Sequence, residues 1–100
     1  MKTILVRYKT SAAEAANNET LVHAVFDALR ASSPRGVRYA TYRLADGVTF
    51  IHIATVDAAG EGTLTTLPAF KAFQERLKER CVEPPVLTEL SPVDSYASAS

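Results

Sequence analysis

Twenty residues, Val37 to Val56, constrain this chain more than any other stretch. Asp46-Gly47 lies between two runs rich in β-branched and aromatic residues: Val37, Tyr39, Thr41 and Tyr42 before it, and Val48 to Ile51 and Ile53 after it. An Asp-Gly pair favours a two-residue turn of type I′, in which both residues take positive φ. A turn of that length pairs Arg43 with Phe50, Tyr42 with Ile51, Thr41 with His52, Ala40 with Ile53 and Tyr39 with Ala54. Strand side chains alternate between the two sides of a sheet. One face of the hairpin therefore carries Ala40, Tyr42, Leu44, Ile51 and Ile53, nearly all apolar. The other carries Tyr39, Thr41, Arg43, Phe50, His52 and Ala54, a mixed set. A slip of one residue would exchange the two sets.

The flanking sequence supplies the rest of a domain. Thr3 to Lys9 reads as a strand with Ile4, Val6 and Tyr8 on one face and Leu5, Arg7 and Lys9 on the other. Ser11 and Glu14 have capping-box spacing, so a helix is expected from Ser11 to about Ser32, with Leu21, Val22, Val25, Phe26 and Leu29 as its apolar stripe. Asp57 to Thr65 is rich in Gly and small residues and reads as a mobile loop. A second helix is expected from Leu67 to Arg80, capped by Thr66, with Leu67, Phe70, Phe73 and Leu77 on its buried side. Pro84-Pro85 ends it, and Val86 to Val93 forms a last strand, at an edge or ending at Pro92. The predicted order is β-α-β-β-α-β: an α+β, ferredoxin-like four-stranded antiparallel sheet in one domain, residues 1–96, with a disordered tail at 97–100. Both sheet faces carry apolar residues and two helices cover one. A second copy of the chain is the simplest cover for the other.

Composition narrows the function classes. The formal net charge is zero, which gives no general attraction for nucleic acid or for an anionic membrane. Asp46 to Ile53 loosely echoes the third strand of RNA-recognition domains, but the basic residue and the paired stacking aromatics of that motif are missing. A single cysteine, Cys81, excludes an intrachain disulfide and multi-cysteine metal sites. The short apolar run at the N-terminus is interrupted by charges and reads neither as a signal peptide nor as a membrane span, so a cytoplasmic protein is expected.

With the strand order in view, the chain resembles the antibiotic-biosynthesis-monooxygenase-like superfamily, the dimeric α+β barrel proteins. The resemblance covers residues 1–96 and rests on Phe50-Ile51-His52-Ile53-Ala54 closing the hairpin and on Leu67-Pro68-Ala69-Phe70-Lys71-Ala72-Phe73 opening the second helix. It implies a homodimer whose sheets pack face to face and a ligand cleft between each sheet and its own helices. It also implies activities such as cofactor-independent oxygenation of polycyclic phenols or haem degradation. This sequence departs from the family pattern at several positions. Val56 stands where a Trp is frequent, Leu64 and Ala69 stand near positions often held by His, and the first strand lacks the Asn of haem degraders. These departures argue against haem degradation.

His52 is the principal candidate for chemistry. An imidazole beside the Tyr39 phenol, with Arg43 along the same face, has the groups needed to deprotonate a phenol and hold its anion. His52 and Tyr39 are therefore the candidate catalytic pair, with Arg43, Thr41 and Phe50 as substrate-binding residues. The expected partners are a second copy of the chain and a small aromatic ligand, with no cofactor and no metal. The competing reading makes His52 a hydrogen-bonded residue of the core or the interface, and the protein a non-catalytic binder or structural dimer. Arg7 and Lys9 would add positive charge if they share the His52 face. His23 and Asp27, one helical turn apart, are half a metal site at most.

Overall fold

The computed structural model describes residues 1–97. The expected disorder at 98–100 lies outside the described residues. Four strands form one antiparallel sheet: β1 (Lys2–Thr10), β2 (Val37–Arg43), β3 (Thr49–Val56) and β4 (Cys81–Leu90), in the order β2-β3-β1-β4. The helices are α1 (Ala15–Ser32), α2 (Thr63–Thr66), α3 (Pro68–Gln74) and α4 (Leu77–Arg80). This is the ferredoxin-like arrangement, with β1 and β3 at the centre of the sheet.

The hairpin pairs as its sequence requires, from Val37 with Val56 to Arg43 with Phe50. The turn reaches that register by a different route. Gly47 has φ +77°, but Asp46 does not take positive φ. The Asp46 carboxylate instead accepts from the Val48 and Thr49 N–H groups and from the Thr49 hydroxyl, while Gly47 N–H closes on Leu44 O. These bonds, the Thr49 hydroxyl foremost, pull the Asp46 carboxyl down to a pKa of about 2. The wider loop leaves the alternation of faces unchanged.

The mixed face of the hairpin lies beneath the helices. Tyr8 and Phe50, paired across β1 and β3, join Val22 and Val25 of α1, Leu64 of α2 and Phe73 of α3 in the core. Aromatic rings link these layers: Tyr8 stacks on Phe50 at 5.6 Å and Phe26 on Tyr39 at 5.2 Å. The apolar set faces outward. There Ala40, Tyr42, Ile51 and Ile53 continue through the register into Leu5 and Arg7 of β1 and Val86 and Thr88 of β4. Tyr42 is 57% exposed and Val86 61% exposed.

Several local expectations are corrected. The capping box between Ser11 and Glu14 does not form. Residues 12–14 make a turn closed by Glu14 N–H on Ser11 O, and α1 starts at Ala15 without a side-chain cap. The second helix is not continuous, because Glu75 is extended and Arg76 takes φ +61°, separating α3 from α4. Its first residue is Pro68, with Leu67 rather than Thr66 at the N-cap. The last strand begins at Cys81 and contains Pro84 and Pro85. An edge strand tolerates prolines where their missing N–H groups face away from the sheet. The 57–65 segment is not all loop, since it runs into the helix Thr63–Thr66, and its start is bonded to the β2 entry: Asp57 N–H donates to Gly36 O, and Asp57 Oδ1 accepts from Ala59 and Gly60 N–H. Gly36 has φ +73°, and a Cβ there would lie 2.0 Å from Asp57 Oδ1 and 2.6 Å from Gly60 N. Gly36→Ala is therefore expected to cost roughly 1–3 kcal/mol from backbone strain alone, with the clash adding to it. Urea unfolding checks this, and a loss under about 0.5 kcal/mol, typical of a surface change, would show that the Gly36–Asp57 junction is not tightly held.

Candidate functional site

The polar residues of the helix-covered face form a continuous buried chain. His52, 4% exposed, occupies the middle of β3. Its Nδ1 lies 2.6 Å from Tyr39 Oη and 3.1 Å from Thr41 Oγ1, both on β2. Its Nε2 lies 2.7 Å from Tyr8 Oη on β1. Asn18 of α1 donates through Nδ2 to Tyr8 Oη at 2.8 Å. Arg80, at the end of α4, donates through Nε to Asn18 Oδ1 at 3.1 Å. The rest of the Arg80 guanidinium serves the broken helix, donating to Phe73 O and Glu75 O. Those carbonyls lie at the C-terminal end of α3, where the helix leaves acceptors free and its dipole is negative.

Burial decides the protonation of this chain. It lowers the His52 pKa from the ordinary 6.5 to about 4, so the imidazole is neutral at pH 7. It raises the Tyr39 phenol to about 12, against the opposing effect of the Thr41 hydroxyl. It raises the Tyr8 phenol further, with the Asn18 amide opposing. At neutral pH the ring of His52 and both phenols are therefore uncharged, and Arg80 is the one permanent charge on the chain.

A surface cleft of about 510 Å³ opens beside this chain, between α1 and the β2 edge. Tyr39, Thr41, Arg43 and Phe50 line it from the sheet, and Glu19, Val22, His23 and Phe26 from the helix. Four of the five sequence-derived site residues thus meet at one cleft, while His52 stands behind it and reaches it through Tyr39 and Thr41. Arg43 is held at the cleft by Glu19 Oε1 at 3.0 Å and by Gly47 O at 2.8 Å, with its guanidinium 5.7 Å from the Phe50 ring centre. Its charge is thus already balanced by a carboxylate. Arg7 and Lys9 do not join the group. They point to the opposite side of the sheet, where Lys9 faces Glu83 at 3.9 Å. His23 pairs with Glu19 and Asp27 with Arg30, so they form no metal pair. Among the described residues no cluster of three or more His, Cys, Asp or Glu side chains gathers as a metal site.

Three members of the chain escaped the sequence reading: Tyr8, Asn18 and Arg80. Asn18 left a usable signal. It precedes Val22 by four residues and Val25 by seven, which places a polar side chain on the buried stripe of the helix. Such a residue requires a buried partner. Arg80 left none, because nothing in Gln74-Glu75-Arg76-Leu77 announces the helix break that draws its guanidinium inward.

No family model matches the sequence, and no curated protein matches it either. Solved structures do. A protein of Mycobacterium tuberculosis superposes with a TM-score of 0.76 at 20% identity, over 96% of this chain and 98% of its own. A protein of Nitrosomonas europaea, provisionally named an antibiotic biosynthesis monooxygenase, gives 0.77 at 10% identity, over 94% of this chain and 100% of its own. A variant of SnoaB, a cofactor-independent oxygenase of Streptomyces nogalater, gives 0.71 at 15% identity, over 97% of each chain. The chain therefore has the fold of the antibiotic biosynthesis monooxygenases. Proteins with this fold include oxygenases and proteins of unknown function. No helix among the described residues is long and apolar enough to cross a membrane.

Proposed function

We propose that this protein binds a planar phenolic small molecule in the cleft between α1 and β2, and that it acts as a cofactor-independent oxygenase-like enzyme. The observation that carries this reading is the joint bond of the Tyr39 and Thr41 hydroxyls to His52 Nδ1 at the wall of the cleft. A phenol placed there meets a hydroxyl pair backed by an imidazole, the rings of Tyr39 and Phe26, and the Arg43 guanidinium at the cleft margin. Tyr39 and His52 stabilise the phenol oxygen as negative charge develops on it, and Arg43, Thr41 and Phe50 shape and hold the ring. The fold's likeness to a cofactor-independent oxygenase supports the choice of reaction. With 1-naphthol and dioxygen as the test reactants, one oxygen atom enters the quinone product and the other leaves as water. The ring supplies the electrons.

One observation favours a second reading, a non-catalytic binder. His52 is fully hydrogen-bonded and stays neutral down to about pH 4, which makes it a weak base. Titration with 1-naphthol and oxygen-electrode measurements on the same samples separate the two. Binding with dioxygen uptake is the expected result for the wild-type protein. Thr41→Val is expected to weaken binding about tenfold, the loss of one hydrogen bond of roughly 1.4 kcal/mol, while leaving the melting temperature within a few degrees. Binding without uptake establishes the second reading, and no binding at millimolar naphthol contradicts both.

The outward sheet face is assigned to a second copy of the chain. Its Leu5, Tyr42, Ile51, Ile53 and Val86 form an apolar surface across all four strands, the kind of surface an isolated chain of this size rarely leaves open. Light scattering after size exclusion at micromolar concentration is expected to give twice the chain mass of 10.8 kDa. A monomer mass would remove the dimer from the account.

A further inference from the structure

We infer that Arg80 and Asn18 set the direction of the buried hydrogen-bond chain, fixing His52 as its Nδ1–H tautomer, so that the cleft presents a hydrogen-bond donor and selects ligands with an acceptor edge, such as a ring carbonyl or phenolate oxygen. The argument is a count of protons. A guanidinium only donates, so Arg80 Nε must meet the oxygen of the Asn18 amide. That fixes the amide orientation and turns Nδ2 toward Tyr8. Tyr8 Oη has two partners, Asn18 Nδ2 and His52 Nε2. The first is a donor, so the Tyr8 proton has one acceptor left, His52 Nε2. The opposite assignment, Nε2–H donating to Tyr8, would leave the Tyr8 hydroxyl proton without an acceptor at a residue that is 1% exposed. Buried donors are rarely left so.

A neutral imidazole that accepts at Nε2 carries its proton at Nδ1. That proton points at Tyr39 Oη, 2.6 Å away, and Thr41 Oγ1, 3.1 Å away. Both oxygens turn lone pairs toward the ring. The Thr41 hydroxyl also bonds to the Tyr39 oxygen, and the Tyr39 proton, with no acceptor of its own among the described residues, is the one left to face the cleft. Tyr39 and Thr41 both line the cleft. The order of donation thus runs outward, from Arg80 through Asn18, Tyr8 and His52 to these two hydroxyls. Arg80 and Asn18 are positioning residues, acting on the cleft through Tyr8 and His52. The ligand preference rests on the cleft reading proposed above, whereas the tautomer is a property of the unliganded protein.

Long-range proton–nitrogen NMR correlation on protein labelled in its histidine rings reads the tautomer directly. The chain has two histidines, so comparison with His52→Gln assigns the signals. At pH 7 His52 is expected to be neutral with its proton on Nδ1. Tyr8→Phe, which keeps the ring but removes the hydroxyl, is expected to abolish that preference in protein that remains folded. A proton on Nε2 in the wild type, or an unchanged Nδ1–H preference in Tyr8→Phe, would overturn the inference. The ligand preference is read with two planar tricyclic probes of similar shape. Fluorenone offers an acceptor and carbazole a donor. Fluorenone is expected to bind at least tenfold tighter, and carbazole binding equally well would refute the outward donor. Failure of both to bind counts against the cleft and against the ligand preference, while the ring-nitrogen spectrum decides the direction of the chain independently.

Discussion

Arg80→Met is expected to be among the most damaging single substitutions in this protein, costing about 3–4 kcal/mol. Arg80 is 5% exposed and has no carboxylate partner among the described residues. Its guanidinium holds Asn18 Oδ1, Glu75 O and Phe73 O, and lies 5.4 Å from the Phe73 ring centre. Two effects oppose each other on substitution. Removing a buried charge recovers its desolvation cost, which is why apolar replacement of buried ions is sometimes neutral. Here the acceptors stay behind, and each buried acceptor left unpaired costs roughly 1–3 kcal/mol. With two buried acceptors, Asn18 Oδ1 and Phe73 O, and a partly buried third, Glu75 O, the second effect dominates. For a domain of this length a loss of that size lowers the melting temperature by roughly 15–25 °C. Arg80→Lys is expected to fall between, because an ammonium cannot reach all three acceptors in the same plane. Chemical denaturation measures these differences, and a loss below about 1 kcal/mol for Arg80→Met would mean that the helix break is held by other contacts.

Acid is expected to destabilise the protein through His52 well before its carboxylates matter. The imidazole has a folded pKa of about 4 against an ordinary 6.5. Between those values the unfolded chain binds a proton that the folded protein refuses. The stability contributed by keeping His52 neutral is thus fully present above pH 6.5. It is lost as the pH falls toward 4, a decline of about 3 kcal/mol. Asp46, whose carboxyl is lowered from 3.8 to about 2, contributes stability that is present above pH 3.8 and lost as the pH falls toward 2, in the same direction but below this window. Denaturant unfolding at a series of pH values should therefore show a slope between 6.5 and 4 that flattens in His52→Gln. The variant starts less stable at pH 7, since glutamine does not replace the bonds to Tyr8, Tyr39 and Thr41, so the slope is the quantity to compare. An equally steep decline in the variant would assign the acid sensitivity elsewhere.

The legible parts of this fold were those set by short-range periodicity. The Asp46-Gly47 signal fixed the hairpin register even though Asp46 shapes the turn with its carboxylate rather than through positive φ. The stripe of Leu21, Val22, Val25, Phe26 and Leu29 located the buried side of α1. Alternation separated the two sheet faces but could not say which lies under the helices. Beneath the helices Tyr8, Phe50 and Phe73 fill the space with rings, and their polar neighbours pair among themselves. Tertiary pairings were not legible. Tyr8 and His52 are 44 residues apart, and Asn18 and Arg80 are 62 apart. Such contacts have no local sequence signature, and the break at Arg76 that brings Arg80 inward occurs without a Gly or Pro to mark it.

The central claim is that the cleft between α1 and β2 is a ligand site backed by His52. Backbone amide shift mapping of the wild-type protein with 1-naphthol tests it most directly. The account predicts saturable shifts concentrated at Tyr39, Thr41 and Arg43 of β2 and at Glu19 and His23 of α1, with a smaller response at His52 behind them. Shifts confined to the outward face around Leu5, Ile51 and Val86, or no saturable shift at millimolar naphthol, would contradict it.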